Sequence, residues 1–208
     1  MKKIVNYVGS LVSIVSLVAF SGPALAANTN GNKLLCFDGT TDGGFYGLCS
    51  LAPDGTATLD NVSNDATGVT NPYDQYSGVY LQNSNLDGKK LSAVNQLAFD
   101  YTGVPTAGSP RLTLPIDKNG DGVTDVYASI GAYYCNDGAG HVDAINDLSC
   151  QIFLNDNSAG PWANWDAFVA ANPTWKIGKN LPFIIADDPG TWTVSNVQLG
   201  KGPARATK

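Results

Sequence analysis

Glutamate is absent from these 208 residues, and all 18 acidic residues are Asp. Histidine occurs once, and methionine once, at the start. No Glu acid, base or metal ligand can therefore operate, and imidazole chemistry has a single candidate. Charged residues make up only 14% of the chain, too few to clothe long exposed helices, which draw on Glu and Lys. What is plentiful is turn chemistry. The 19 Asn, 18 Asp and 23 Gly tolerate left-handed backbone and close tight turns.

Residues 1–26 read as an export signal. Met1-Lys2-Lys3 is basic, Ile4 to Phe20 is apolar, and Ala24-Leu25-Ala26 offers a small-x-small cleavage site. The apolar stretch is short and interrupted by Asn6, Gly9 and serines, which disfavours a membrane anchor. No cysteine follows it to carry a lipid. The expected mature chain is one domain, 27–208, with an ordered core over about 34–200. Removing Lys2 and Lys3 leaves 10 basic against 18 acidic residues, a net charge of −8. Nucleic acid and anionic membranes are poor partners for such a surface. The expected location is outside the cell or in the periplasm.

Four cysteines, Cys36, Cys49, Cys135 and Cys150, permit three disulfide connectivities. Neighbours in sequence each enclose a loop rich in Gly and Asp, which favours Cys36–Cys49 and Cys135–Cys150. Without a C-x2-C pair, a four-thiolate zinc site is the weaker reading.

From Cys36 onward a period of two recurs. Leu97, Phe99 and Tyr101 alternate with smaller or polar residues, as do Leu112, Leu114 and Ile116. Val126 to Tyr134 alternates over nine residues, which would send Tyr133 and Tyr134 to opposite faces. Shorter candidates lie at 56–62, 78–82, 150–154 and 182–186, with a closing strand at 191–199. The expectation is an all-β fold, an antiparallel sandwich of jelly-roll type, with Pro115 on an edge. One short helix is expected near 161–171, with Pro161 in its first turn and Asn172-Pro173 ending it. Trp162, Trp165 and Phe168 would share its face, either docking it on the sandwich or forming a sugar-stacking platform. Trp175 and Trp192 read as core.

The most specific motif is Asp117-Lys118-Asn119-Gly120-Asp121-Gly122-Val123-Thr124-Asp125. Side-chain oxygens at its first, third and fifth positions converge on a hard cation, and Gly122 permits the sharp turn. The Val123 carbonyl and Asp125 complete a candidate calcium set of Asp117, Asn119, Asp121, Val123 and Asp125. Ala128 stands where an EF-hand places its bidentate Glu. The alternative is a solvated hairpin turn.

This nine-residue stretch resembles the DxDxDG calcium loops of dockerins and thrombospondin type 3 repeats. Phe37-Asp38-Gly39-Thr40-Thr41 and Thr191 to Leu199 resemble the first and last segments of jelly-roll carbohydrate-binding modules. The second resemblance implies a secreted sandwich that binds a polysaccharide or cell-surface glycan without catalysis, with structural calcium. Candidate stacking residues are Tyr73, Tyr76 and Trp162, since sugar C–H faces rest on aromatic rings. An adhesive protein contacting other proteins is the alternative. An Asp-dependent hydrolase assisted by His141 has less support, because no nucleophile motif accompanies that histidine.

Overall fold

In the computed structural model, residues 33–39, 47–61, 75–82, 84–135 and 140–200 are described. The export signal and Tyr73 lie outside them. The elements in chain order are β1 (Lys33–Asp38), β2 (Leu48–Leu51), β3 (Ala57–Asp60), β4 (Ser77–Gln82), β5 (Gln96–Thr102), β6 (Arg111–Asp117) and β7 (Val126–Gly131). There follow β8 (His141–Asp143), β9 (Phe153–Leu154), α1 (Trp165–Ala171), β10 (Lys176–Ile177), β11 (Phe183–Ala186) and β12 (Thr191–Gly200). They form an antiparallel β-sandwich. One sheet has seven strands, in the order β1-β4-β11-β6-β7-β9 with β10 also on β6; the other has five, in the order β2-β3-β12-β5-β8.

Period-two alternation builds the core between the sheets. Val79, Leu81, Leu112, Leu114, Ile116 and Ile184 come from the larger sheet. Leu59, Leu97, Phe99, Trp192 and Val194 meet them from the smaller one. The outer face of the five-stranded sheet is polar, as expected where one side meets water. Thr102 and Thr193 hydroxyls lie 2.7 Å apart there, and Thr191 donates to Asp60 at 3.2 Å.

Both disulfides have the expected pairing. Cys36–Cys49 links the edge strands β1 and β2, stapling one side of the two sheets together. A loop of this size restrains the unfolded chain, so replacing both cysteines by alanine should cost about 3 kcal/mol. Urea unfolding of the double variant checks this; a loss under about 1 kcal/mol would mean the staple is dispensable.

Three local expectations are corrected. Pro115 stands on central β6 rather than on an edge, opposite Tyr127 of β7. Its carbonyl accepts from Gly178 N–H at 2.9 Å, so its missing N–H faces the same side, between the ends of β11 and β10. That break in the neighbouring strands serves the purpose of an edge. The strand expected through Tyr134 stops at Gly131, and Ala132–Tyr134 forms a 3-10 turn. The helix begins at Trp165 rather than near 161, because Asn164 is its cap and accepts from Ala167 N–H at 2.9 Å. The Trp162 backbone is committed instead to Ile152, with hydrogen bonds of 3.0 Å in both directions.

Candidate functional site

The outer face of the seven-stranded sheet departs from the usual polar exterior of an antiparallel sheet. One transverse row crosses the strands in register. Leu35 pairs with Tyr80, Tyr80 with Phe183, Phe183 with Thr113, Thr113 with Ser129, and Ser129 with Phe153. Successive residues of such a row share a face, and the alternate positions Val79, Leu81, Ile184, Leu112 and Ile130 fill the core. Tyr80, Phe183 and Phe153 are half-buried, and Leu35 is exposed.

Rings from neighbouring positions thicken this row. Phe183 lies 5.9 Å from Phe37, 6.1 Å from Tyr80 and 5.8 Å from Tyr127, measured between centroids. Phe37 can reach across the sheet because Gly78 is its register partner; a Cβ on Gly78 would lie 2.4 Å from the Phe37 ring. Tyr76 borders the same cluster, 6.3 Å from Phe37.

At the β9 end the row opens into a pocket of about 350 Å³, lined by Arg111, Ser129, Gly131, Tyr134, Phe153 and Asn155 among others. The 3-10 turn makes its wall. It lets Tyr134 stack against Phe153 at 4.8 Å while also meeting Tyr133, itself 56% exposed, at 5.1 Å. The two tyrosines are thus neighbours instead of occupants of opposite faces. A second cavity, about 730 Å³, is lined by Gln82, Ser84, Asn85, Asp87 and Leu181. Gln82 lies two residues beyond Tyr80 on β4 and so on the same face.

A network of buried polar groups holds the turn whose aspartates bond Arg111 and Gly108 of the smaller pocket. Asn61, almost fully buried, donates its amide to the carbonyls of Ala186 and Asp188 at 2.9 and 3.0 Å and accepts from Ser77. Ser109 Oγ accepts the N–H groups of Asp187 and Asp188 at 2.8 and 2.9 Å. The turn so held presents Asp187 to Arg111 in a two-pronged ion pair. Asp188 accepts from the Thr106 hydroxyl and from Gly108 N–H. Both aspartates are therefore structural anchors of the turn between β11 and β12.

The loop 117–125 joins β6 to β7. Asp117 is inaccessible to solvent. Its two oxygens accept the N–H groups of Gly120 and Gly122 at 2.6 and 2.8 Å. Both glycines have φ of +84°, which brings those N–H groups inward. Desolvation opposes the charge on Asp117, yet the N–H groups of Gly122, Gly120 and Asn119 and the Lys176 ammonium outweigh it and hold the carboxyl below its usual range. Asn119 and Asp121 each accept an N–H two residues on, and Asp125 accepts from Lys118 N–H at 2.6 Å. Asp117, Asp121 and Asp125 do not form a close carboxylate cluster. The donor set is all oxygen on a tight glycine turn, which is the chemistry a hard cation takes, but the oxygens here accept the loop's own N–H groups. Among the described residues one group does gather so closely, Cys135, Asp147 and Cys150, but its two sulfurs are bonded to each other.

Trp162 is half-buried, its ring 4.9 Å from Phe168, which also meets Trp165 and Trp175 at 5.5 and 6.0 Å. Lys118 sits over the Trp175 ring at 5.2 Å, tying this cluster to the loop. His141 lies on the other sheet, paired across β5 and β8 with Asp100, which Asn196 also holds. Of the aspartates near His141 in sequence, Asp137 lies outside the described residues, and Asp143 accepts the N–H groups of Ile145 and Asn146. Desolvation raises the Asp100 pKa, but its bonds to Asn196 and His141 lower it more. A depressed folded pKa adds stability above the unfolded value, lost as pH falls through the folded one. The melting difference between wild type and Asp100→Asn should therefore shrink as pH is taken below 3.8, and a constant difference would refute this linkage.

Comparison with family models, curated proteins and solved structures returns no match.

Proposed function

We propose that this protein is a secreted, non-catalytic module that binds a glycan on the outer face of its seven-stranded sheet. The observation that carries this reading is the row of half-buried aromatic rings ending in the Arg111–Tyr134–Phe153 pocket. Pyranose rings present C–H faces that rest on such side chains, and their hydroxyls satisfy the Ser129 and Asn155 groups alongside. Export agrees with the paired cysteines, and no helix among the described residues is long and apolar enough to cross a membrane. Tyr76, at the border of the cluster, belongs to this surface. Trp162, packed on Phe168, belongs to the neighbouring Trp-rich cluster and not to this row.

The test is a glycan array probed with the purified protein. Saturable binding to at least one immobilised glycan is expected. A flat array accompanied by self-association, or by binding to matrix proteins, would replace the glycan reading with an adhesive one.

Calcium belongs to the same proposal. Asp117, Asn119, Asp121, the Val123 carbonyl and Asp125 would hold it, and the ion would brace the β6–β7 turn. A site filled at a hundredfold excess over Kd adds about 2.7 kcal/mol. Chelation should therefore lower the melting temperature, calcium should restore it, and Asp121→Ala should remove the difference. If Lys176 and Lys179, which lie beside Gly120 and Gly122, already balance the loop's charge, chelator will leave melting unchanged and the calcium reading falls.

A further inference from the structure

Building on the glycan reading, we infer that the ligand is an uncharged polysaccharide chain laid across the strands, and that the Asp187 carboxylate excludes acidic sugars. Direction comes from register. The row from Leu35 to Phe153 crosses the whole path β1-β4-β11-β6-β7-β9. At the usual strand spacing that is about 24 Å, perpendicular to the strands. A cavity lies near each part of this track, one beside Gln82 and Leu181 and the other beside Phe153 and Asn155. A single small sugar would fill one of them and leave the aromatic row between them unused. An extended chain uses all three.

Charge comes from the lining. Arg111 is the one cation among the described residues lining either cavity, and its charge is already spoken for. Its two terminal nitrogens both donate to Asp187, and one also donates to the Gly108 carbonyl at 2.6 Å. Asp188 adjoins that pair, and Asp87 lines the other cavity. Lys33, opposite Gln82 on the edge strand, is outside both linings. A carboxylate or sulfate on the ligand would thus find no unpaired guanidinium, and it would meet Asp87 in one cavity and Asp188 beside the other, on a chain of net charge −6. Hydroxyl groups have no such difficulty. Gln82, Asn85, Ser129 and Asn155 are neutral and both donate and accept, which matches a sugar hydroxyl.

Affinity electrophoresis of the full chain decides the matter. The gels would contain uncharged glucans, mannans, xylans or galactans, each beside its carboxymethylated or sulfated derivative. At least one uncharged polymer should retard the protein, and its charged derivative should bind at least tenfold more weakly. Phe183→Ala and Phe153→Ala should each abolish that retardation, because they lie at the middle and the end of the track. Asp187→Asn frees the Arg111 guanidinium and should narrow the gap between the uncharged polymer and its derivative. Circular dichroism melting on that variant would confirm that it still folds. Equal or tighter binding of a charged derivative overturns the inference and leaves the glycan reading standing. Failure of every polymer, charged or not, overturns both. Retardation by short oligomers as strong as by the polymer overturns the extended track.

Discussion

Trp192→Ala should lower the unfolding free energy by about 3–5 kcal/mol, the range for deleting a large buried aromatic. The melting temperature should fall on the order of 10 °C for a chain of this size. Trp192 is 2% exposed and sits on β12, in the middle of the five-stranded sheet. Its indole N–H donates to the Val104 carbonyl at 3.0 Å, a bond that alanine leaves unmade. Two glycines are cut to its shape. A Cβ on Gly190 would lie 2.3 Å from the indole, and one on Gly103 would lie 2.9 Å from it. The void left behind is thus walled by backbone, which cannot collapse into it. Urea denaturation checks the figure, and a loss below about 1 kcal/mol would show the ring to be poorly packed.

Phe183→Ala should do the reverse, with its larger effect on binding. Its ring touches Phe37, Tyr80 and Tyr127, so removing it breaks the aromatic track at its centre. A lost stacking contact of about 1.4 kcal/mol is tenfold in affinity, and the break in continuity should add to it. The ring is only half-buried, so the stability cost should stay well below that of Trp192→Ala. Binding and melting are to be measured on the same set, with Tyr76→Ala and Trp162→Ala included. Trp162, packed on Phe168, should cost stability and leave affinity in place. Should Phe183→Ala melt as badly as Trp192→Ala while binding persists, the outer face is a structural surface and the ligand sits elsewhere.

The core was legible in the sequence because burial on one side leaves a period of two. Leu97, Phe99 and Tyr101, or Leu112, Leu114 and Ile116, announce their inward phase. The outer aromatic row was not legible for the same reason inverted. Phe183-Ile184-Ile185 is an unbroken apolar run, since both faces of β11 are hydrophobic, and periodicity is silent there. Tyr127 does stand in the phase opposite Val126 and Ala128, and that was the available signal. Its meaning depends on Phe183, 56 positions away in the chain and 5.8 Å away in space. The 3-10 turn at Ala132–Tyr134 was hidden by an alternation that continues past the strand's end. Gly131 marks where it stops: it leaves room for Tyr134 to fold back over it, 3.4 Å from where a Cβ would be. The Asp100–His141 pair is a product of register alone. The loop over residues 117–125 was the opposite case, since the hydrogen bonds that close it lie within nine residues.

The placement of β12 bears on how the molecule comes into being. The last strand of the domain lies at the centre of the five-stranded sheet, between β3 and β5. Those two strands share no partner until residues 191–200 have emerged, and Thr191 then meets Asp60 across 131 positions of chain. Pairings so distant in sequence close late and slowly, because loop entropy must be overcome before any contact rewards it. A nascent chain of this topology therefore leaves β3 and β5 unjoined during synthesis and completes its smaller sheet only once residues 191–200 have emerged.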